Sequence, residues 1–473
     1  MTGYETVVGL EIHVELKTAQ KLFCSCSTAF GAKPNTHICP LCLGLPGAFP
    51  KLNRNAVECA VKAAFALNCE INTISAFDRK NYMYPDLPKS YQVTQFYLPL
   101  CQNGYLDIET EGGKKRIGIT RIHIEEDAGK LFHSDEHGTL IDYNRCGIPL
   151  IEIVTEPDFR SSAEAVAFLE KLRSVLCFAG VSDCRMNEGQ LRCDVNLSVR
   201  KIGSTSFGTR TETKNLNSFY SVKRAIEYEA ERQTTLLEKG EKIKQETLRL
   251  DQNTWQTIPM RLKESTSDYR YFPDCDFAPL VLEADTLNTI RSTMPALPDE
   301  RKEHYISEYS LTEYDAKLLT SRPDVADFFE ETARLTAYPK VAANLFLTEG
   351  FRMLDAYTDI PITPIQLAKT AELYGGGKIN STSAKRIFCE LWDTGGDPEV
   401  LMESLGLALL NDEELLKKQV KEILAECQTA VDDYKNGKTR AFGAIMGEAM
   451  RITGGRAEPK LLKKLLAEAL NEV

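Results

Sequence analysis

Nowhere in the 473 residues do about eighteen apolar residues run together, the length a membrane-spanning helix requires, so no such span is expected. The opening MTGYETVVGLEIHV has no basic segment followed by an apolar one, which points to a cytoplasmic chain. Positive charge is also short. The 68 acidic residues outnumber 57 Lys and Arg, for a formal net charge of -11. Phosphate contacts need clustered cations, so this balance argues against a surface that grips nucleic acid everywhere and leaves a local basic face open. A complete phosphate loop is missing as well. GKT at 437–439 has Asp432 where the upstream glycine belongs, and GGGK at 375–378 lacks that glycine too, so any nucleotide is held another way. The pieces YGGGKIN and ITGGRAEP read as helix ends, where glycine relieves left-handed strain.

Cysteine, by contrast, is plentiful. Fourteen of them suit a secreted disulfide framework only in a far shorter chain. Ten lie scattered among apolar neighbours, Cys59, Cys177, Cys193 and Cys389 for example, and read as reduced core residues. The other four, Cys24, Cys26, Cys39 and Cys42, stand in KLFCSCSTAFGAKPNTHICPLCLGLPG as C-x-C and C-x-x-C with twelve residues between the pairs. A loop of that length brings two thiolate pairs around one tetrahedral ion, and Pro40, Gly44 and Gly47 supply the turns; zinc is the natural occupant. Four thiolates close the coordination shell, so the site is structural and the chemistry lies elsewhere. Four reduced thiols without a ligand are the alternative.

Through about residue 290, strand patterns mix with a few helices. In GLEIHVEL, Glu11, His13 and Glu15 alternate with Ile12, Val14 and Leu16; in TRIHIEEDAGKL, Arg121, His123 and Glu125 alternate with Ile122 and Ile124. LRCDVNLSVR sets Arg192, Asp194, Asn196, Ser198 and Arg200 against apolar residues, and GTRTETKN adds Arg210, Glu212 and Lys214. A period of two puts each polar set on one face. A sheet with one solvated face explains alternation alone, but Asp, Asn and Glu are depleted from strands, so four such strands favour a working surface. In IPLIEIVTEP, Glu152 stands inside an apolar run, where a carboxylate is costly to desolvate unless a metal or cation meets it. Glu11, His13, Glu125 and Glu152 make a mostly oxygen set suited to magnesium, the ion that accompanies ATP phosphates. His13 as a core histidine bonded to Glu15 or a carbonyl remains the competing reading.

AVECAVKAAFALN, SSAEAVAFLEKLRSVLCFAG and SFYSVKRAIEYEAERQTTLLEKG carry helical periodicity, with Ser162 and Ser218 as N-caps and Gly180 and Gly240 beyond the ends. From LPDERKEHY onward nearly everything is helical, so a boundary is expected near Pro295 and Pro298, with a second at Gly395, Gly396 and Pro398 or near Asn411. The last segment gathers Lys435, Lys438, Arg440, Arg451, Arg456, Lys460, Lys463 and Lys464 against Glu448 and Glu458, which reads either as a phosphate-contacting face or as a solvated helix surface. RKNYMYPDLPKSYQ mixes cations with Tyr82, Tyr84 and Tyr91, a composition for stacking on an unpaired nucleic-acid end or for packing on the core.

Taken in order, GLEIHVEL, the cysteine stretch, FDRKNYMYPDLPKSYQVTQ, RIHIEEDAGKL, GIPLIEIVTEPD, LRCDVNLSVR, TETKNLNSF and DYRYFPDCD closely resemble the B-subunit family of tRNA-dependent aspartyl/glutamyl amidotransferases, over the whole chain. The resemblance implies an α+β fold: a cradle domain with an antiparallel sheet, related to the glutamine synthetase catalytic fold, over residues 1–292; a helical domain over 293–408; and a helical tail that touches tRNA over 409–473. It implies that ATP phosphorylates the side-chain carboxylate of Glu or Asp mischarged on tRNA-Gln or tRNA-Asn, after which ammonia displaces phosphate. A glutaminase A subunit supplies that ammonia, and the pair is braced by a small C subunit. By motif, Glu11, His13, Glu125 and Glu152 would surround magnesium, with Glu126, Asp194 and Glu212 nearby, while Lys80, Lys89 and Arg192 are candidates to neutralise phosphate. A zinc-containing RNA-binding scaffold and an ATP-dependent ligase amidating a free small acid are the competing classes.

Overall fold

The computed structural model describes residues 3–134, 136–260, 269–354, 359–410, 413–436, 438–453 and 455–472. The chain divides into two compact units, Met1–Leu297 and Pro298–Val473.

A nine-stranded sheet organises the first unit. Its strands in chain order are β1 (Tyr4–Glu15), β2 (Glu70–Ile71), β3 (Cys101–Thr110), β4 (Gly113–Glu126), β5 (Pro149–Thr155), β6 (Leu191–Lys201), β7 (Thr211–Leu216), β8 (Thr247–Leu250) and β9 (Thr257–Pro259). In space they run β9-β8-β7-β6-β1-β5-β4-β3-β2, and every neighbouring pair is antiparallel except β7 with β8. The strands with the clearest polar–apolar alternation, β1, β4 and β6, take central places. One face of the sheet is dry. Leu10, Ile12 and Val14 of β1, Ile151 and Ile153 of β5, and Cys193, Val195 and Leu197 of β6 are almost fully buried. They share one cluster with Ala60 and Ala64 of helix α1 (Arg54–Ala66), Phe168, Leu172 and Leu176 of α2 (Ser162–Phe178), and Val222 and Ile226 of α3 (Phe219–Glu238). Burying each large aliphatic or aromatic side chain contributes about 1.5–3 kcal/mol, so the helices hold the sheet by area and leave its other face free for polar work.

Local signals set the helix ends. Ser218 caps α3, its hydroxyl accepting from Ser221 N–H at 3.0 Å. For α2 the cap is Ser161 and not Ser162. Ser161 is extended, and its hydroxyl accepts from Glu164 N–H at 3.2 Å. Ser162 is already helical, and its hydroxyl reaches Glu227 at 3.1 Å. In a Ser-Ser pair the first residue wins because its oxygen lies in reach of the orphan N–H three residues on. Gly180 and Gly240 follow the helices at φ 68° and 74°, with Val181 N–H on Leu176 C=O at 3.0 Å and Glu241 N–H on Leu236 C=O at 2.9 Å. These bonds close the last turns only if the intervening residue is left-handed, which glycine adopts without a Cβ penalty.

In the second unit, every named element among the described residues is a helix, from Pro298–Tyr309 to Pro459–Glu472. One apolar cluster gathers Tyr305, Phe329, Phe346, Phe388 and Leu407; another gathers Leu416, Ile423, Ile445 and Leu466. YGGGKIN ends the helix Pro364–Gly375, as expected of a glycine run. Among the described residues no helix is long and apolar enough to cross a membrane.

Phe168 is fully buried and meets Phe159 edge-on at 5.3 Å. Phe168→Ala should lower the stability of the first unit by about 3–5 kcal/mol, read as a fall in its urea midpoint.

Candidate active site on the polar sheet face

Cross-strand register assembles the site. Glu152 of β5 stands opposite His13 of β1 on one side and His123 of β4 on the other, and Arg192 of β6 faces His13 from beyond. One step along, Asp194 stands opposite Glu11, and Asn196 opposite Glu212. The polar residues that alternate along four separate strands thus meet as rows across the sheet.

Two acidic groups result. His13, Glu125 and Glu152 each offer one ligand atom within 4.8 Å of the others, and Glu11, Asp194 and Glu212 form a second such group. Glu11, which sequence reasoning placed with the first set, belongs to the second. In the first group, Glu152 Oε2 is 3.2 Å from His123 Nε2 and 3.6 Å from His13 Nε2. Glu125 Oε2 is 3.5 Å from the same His123 nitrogen, and its Oε1 is 3.7 Å from Lys80 Nζ and accepts from Gln92 Nε2. Glu125 and Glu152 are 2% and 9% exposed. Burial pushes both carboxyls up, yet Lys80 and His123 hold Glu125 below the usual range, and His123, His13 and Lys80 hold Glu152 well below it. His123 responds in the opposite sense: burial pulls it down, but Glu152 and Glu125 prevail and raise it to about 9. Sequence reasoning left His123 out of the site, although it lies two residues from Glu125 on the same polar face.

The second group is held differently. Lys214 Nζ lies 2.6 Å from Glu212 Oε1 and 3.2 Å from Asp194 Oδ2, while Asn196 donates to Glu11 Oε1 at 2.9 Å. Burial, with Glu152 and Glu212, pushes Glu11 up. Of the candidate phosphate cations, Lys89 donates to Glu126 and Arg192 donates to Asp127 Oδ2 at 2.6 Å, an oxygen shared with Arg145 at 3.5 Å. Of the three, Lys80 makes an ion pair with a member of the first group, while Arg192 lies across from His13 with its charge on Asp127. Gln92, not foreseen as a site residue, and Asp127, which sequence reasoning left among the possible magnesium ligands with Glu125 and Glu126, fasten the end of β4. Tyr82 and Tyr91 are partly buried, the Tyr82 hydroxyl donating to Gln92 Oε1 at 3.2 Å and Tyr91 lying under the Arg79 guanidinium at 4.3 Å, while Tyr84 is 40% exposed. Arg210 precedes β7 and is exposed. In the basic tail Lys438 pairs with Asp433 at 2.9 Å and Arg451 with Glu448 at 2.9 Å, exposed pairs that hold little energy. Asn411, Gly437 and the Lys435 side chain lie outside the described residues.

The cysteines converge as their spacing predicts. Cys42 Sγ stands 3.6, 3.7 and 3.8 Å from the sulfurs of Cys24, Cys39 and Cys26. Thiolates at about 2.3 Å from a tetrahedral ion are about 3.8 Å apart, so the donor set fits one such ion. Lys21, 1% exposed, donates to Cys42 Sγ at 3.5 Å. The Cys24 thiol, with Lys21, pulls Cys42 down to about 4 against the effect of burial. Gly44, at φ 65°, lets this turn approach Lys89, whose Cγ would be 2.9 Å from a Cβ there.

The chain thus joins a sheet unit, whose polar face carries two acidic groups braced by cations, to a separate helical unit. Residues 6–288 match the GatB/GatE catalytic domain, and residues 327–470 match the GatB domain. The chain is 53% identical over 478 residues to the aspartyl/glutamyl-tRNA(Asn/Gln) amidotransferase B subunit of Caldicellulosiruptor saccharolyticus, covering 99% of this chain and all of that one. It is 50% identical to the protein of the same name from Carboxydothermus hydrogenoformans, covering 99% of each chain, and 51% identical to that of Geobacillus kaustophilus, covering 99% of this chain and all of the relative. The chain belongs to the family of amidotransferase B subunits.

Asp127 is buried; desolvation raises its carboxyl, but Arg192 and Arg145 hold it below the usual range. A depressed carboxylate contributes stability above about pH 4 that is lost as pH falls through its folded value. Asp127→Asn should therefore lower stability at pH 7 by removing the carboxylate that Arg192 and Arg145 share, with Glu15 remaining as the acidic group beside both guanidinia. Its difference from wild type in urea unfolding should shrink on acidification below about pH 4.

Proposed function

We propose that this chain is the subunit of a tRNA-dependent amidotransferase that phosphorylates the side-chain carboxylate of Glu-tRNA-Gln, Asp-tRNA-Asn or both with ATP, releasing ADP. Ammonia then attacks the acyl phosphate and inorganic phosphate leaves, giving the amide. The observation that carries this reading is the pair of acidic groups on one open sheet face, beside Lys80. The names of the relatives support the substrates. The reading extends to a glutamine synthetase-like cradle over residues 1–292, a helical domain over 293–408 and a tRNA-contacting tail over 409–473. The antiparallel sheet and the two separate helical clusters favour it. A glutaminase A subunit supplies the ammonia and a small C subunit completes a cytoplasmic heterotrimer.

Magnesium suits both oxygen-rich groups, His13 with Glu125 and Glu152, and Glu11 with Asp194 and Glu212. Glu125 Oε2 is buried with the His123 ring 3.5 Å away and no hydrogen-bond partner among the described residues, which leaves it able to take a ligand. Bound there, magnesium would screen phosphate charge against the substrate carboxylate. The chain's own groups do the rest. His123 Nε2 fixes Glu125 and Glu152 relative to each other, Lys80 adds positive charge at the same edge, and Lys214 spaces Asp194 from Glu212. No covalent protein nucleophile is needed. Zinc on Cys24, Cys26, Cys39 and Cys42 would be structural.

The test uses the chain assembled with its A and C partners, ATP, magnesium, glutamine and each mischarged tRNA. Wild type should form amidated tRNA with coupled ADP release. Glu152→Gln should assemble and bind tRNA but release ADP roughly a hundredfold more slowly or worse. Wild type that binds tRNA without consuming ATP would leave an RNA-binding scaffold, and turnover without tRNA would leave a ligase for a free small acid. Separately, Cys39→Ser should lower zinc content and melting temperature; retention of both removes the zinc assignment.

A further inference from the structure

Just past the strand Tyr91–Thr94 the chain exposes aromatic rings beside the first acidic group. Phe96 and Tyr97 are 38% and 58% exposed. Exposure here is not looseness. The Phe96 and Tyr271 rings lie parallel, 4.0 Å apart with 8° between planes, and Tyr97 meets Phe96 edge-on at 5.1 Å. The Tyr97 hydroxyl donates to the Tyr271 carbonyl at 3.2 Å, and the backbone N–H groups of Phe96 and Tyr97 both end on Asp78 Oδ2, at 2.8 and 3.0 Å. Asp78 is buried, so the turn that presents the rings is fixed from below. Apolar rings held rigidly toward water form a preformed stack, which is a platform for a ligand with a π-face.

Cations connect the stack to the acidic group. The Arg121 guanidinium lies 5.6 Å from the Phe96 ring centre. Tyr271 neighbours Tyr269 at 5.9 Å, Tyr269 lies under the Lys80 ammonium at 5.4 Å, and Lys80 stands 3.7 Å from Glu125. In keeping with that proximity, burial raises the Tyr271 hydroxyl to about 12 while Lys80 opposes and Glu125 and Glu152 add to the rise. A ligand with a base at one end and a carboxylate at the other would span this path.

We infer that Phe96 and Tyr271 seat the unpaired terminal adenine of the aminoacyl-tRNA, which continues their ring stack while the amino acid reaches the first acidic group past Lys80. This rests on the proposed function. The aminoacyl end is preferred over the adenine of ATP because Glu11, Asp194 and Glu212, with Lys214, lie at the other end of the rows, on β1, β6 and β7. On this reading the second group would take the metal-bound phosphates of a nucleotide, and the first group, beside Lys80, would be where the acceptor's carboxylate meets the terminal phosphate. A single-stranded end is also the part of a tRNA whose base is free to stack.

The experiment measures equilibrium binding of tRNA-Gln, intact or trimmed of its terminal adenosine, to the assembled complex carrying wild-type chain, Phe96→Ala or Phe96→Trp. Phe96→Ala should weaken intact tRNA about five- to hundredfold, leave trimmed tRNA and the KM for ATP unchanged, and keep the wild-type melting temperature; Phe96→Trp should bind intact tRNA as wild type does. An equal loss on trimmed tRNA, no loss on either, or a rise in the KM for ATP instead overturns the assignment. If Phe96→Ala melts early, Tyr271→Ala is read by the same comparison. Because binding is measured without turnover, failure of the amidation reading shows separately, as wild type that binds tRNA and makes no amide.

Discussion

Three consecutive carboxylates, Glu125, Glu126 and Asp127, end strand β4 almost completely buried, and each is met by cations from a different part of the chain. Glu125 has Lys80 and His123, Glu126 has Lys89, and Asp127 has Arg192 and Arg145. Desolvating three adjacent negative charges without these partners would cost several kcal/mol per ion, so the pairing is a condition for folding as much as a feature of the site. It also draws the hairpin of Asp78–Asn81 and Tyr91–Thr94, strand β6 and the loop carrying Arg145 onto one strand end. Gln92 adds two hydrogen bonds to the same end, to Glu125 Oε1 and to the Glu126 carbonyl.

That constraint explains how the cysteine turn and the reactive face belong to one object. Gly44 brings the turn against the Lys89 stem, and the Lys89 ammonium reaches Glu126. A small cavity of about 10 Å³, room for roughly one water, lies between Lys21, Cys42, Lys89, Glu126 and Cys146. Ordering the four sulfurs around an ion would stiffen the segment that backs Lys89, so the influence of such an ion on the acidic face is mechanical. The polar groups of the sheet face, by contrast, are brought near one another by strand register and braced by Lys80, His123 and Lys214.

The same division of labour runs through the unit. Aliphatic area between sheet and helices supplies most of the stability, and the polar face gives some of it up, with Glu125 Oε2 and His123 Nδ1 buried without hydrogen-bond partners among the described residues. Such local frustration concentrates at sites that await a ligand. The exposed rings of Phe96 and Tyr97, anchored on Asp78, follow the same pattern on the apolar side. The chain also gathers two acidic groups on one sheet face, and acidic groups repel phosphate unless a cation stands between them.

The sequence by itself determined the two faces of β1, β4 and β6, because a strand's period of two assigns each side chain to a face regardless of what packs there. It determined the cysteine cluster, because a short loop between paired cysteines leaves few ways to arrange four sulfurs. The Gly180 and Gly240 helix ends were equally legible, being local; the Ser161 cap was missed by one residue, since both serines of the pair satisfy the pattern. Only the tertiary structure decided that His123 stands beside Glu152, that Glu11 joins Asp194 and Glu212, and that Arg192 is spent on Asp127. It alone put Tyr82 against Gln92, Tyr91 under Arg79 and Phe96 against Tyr271. Those pairings depend on which strands lie side by side and in what register, and register is set by the packing of residues far apart in the chain, where no local pattern reaches.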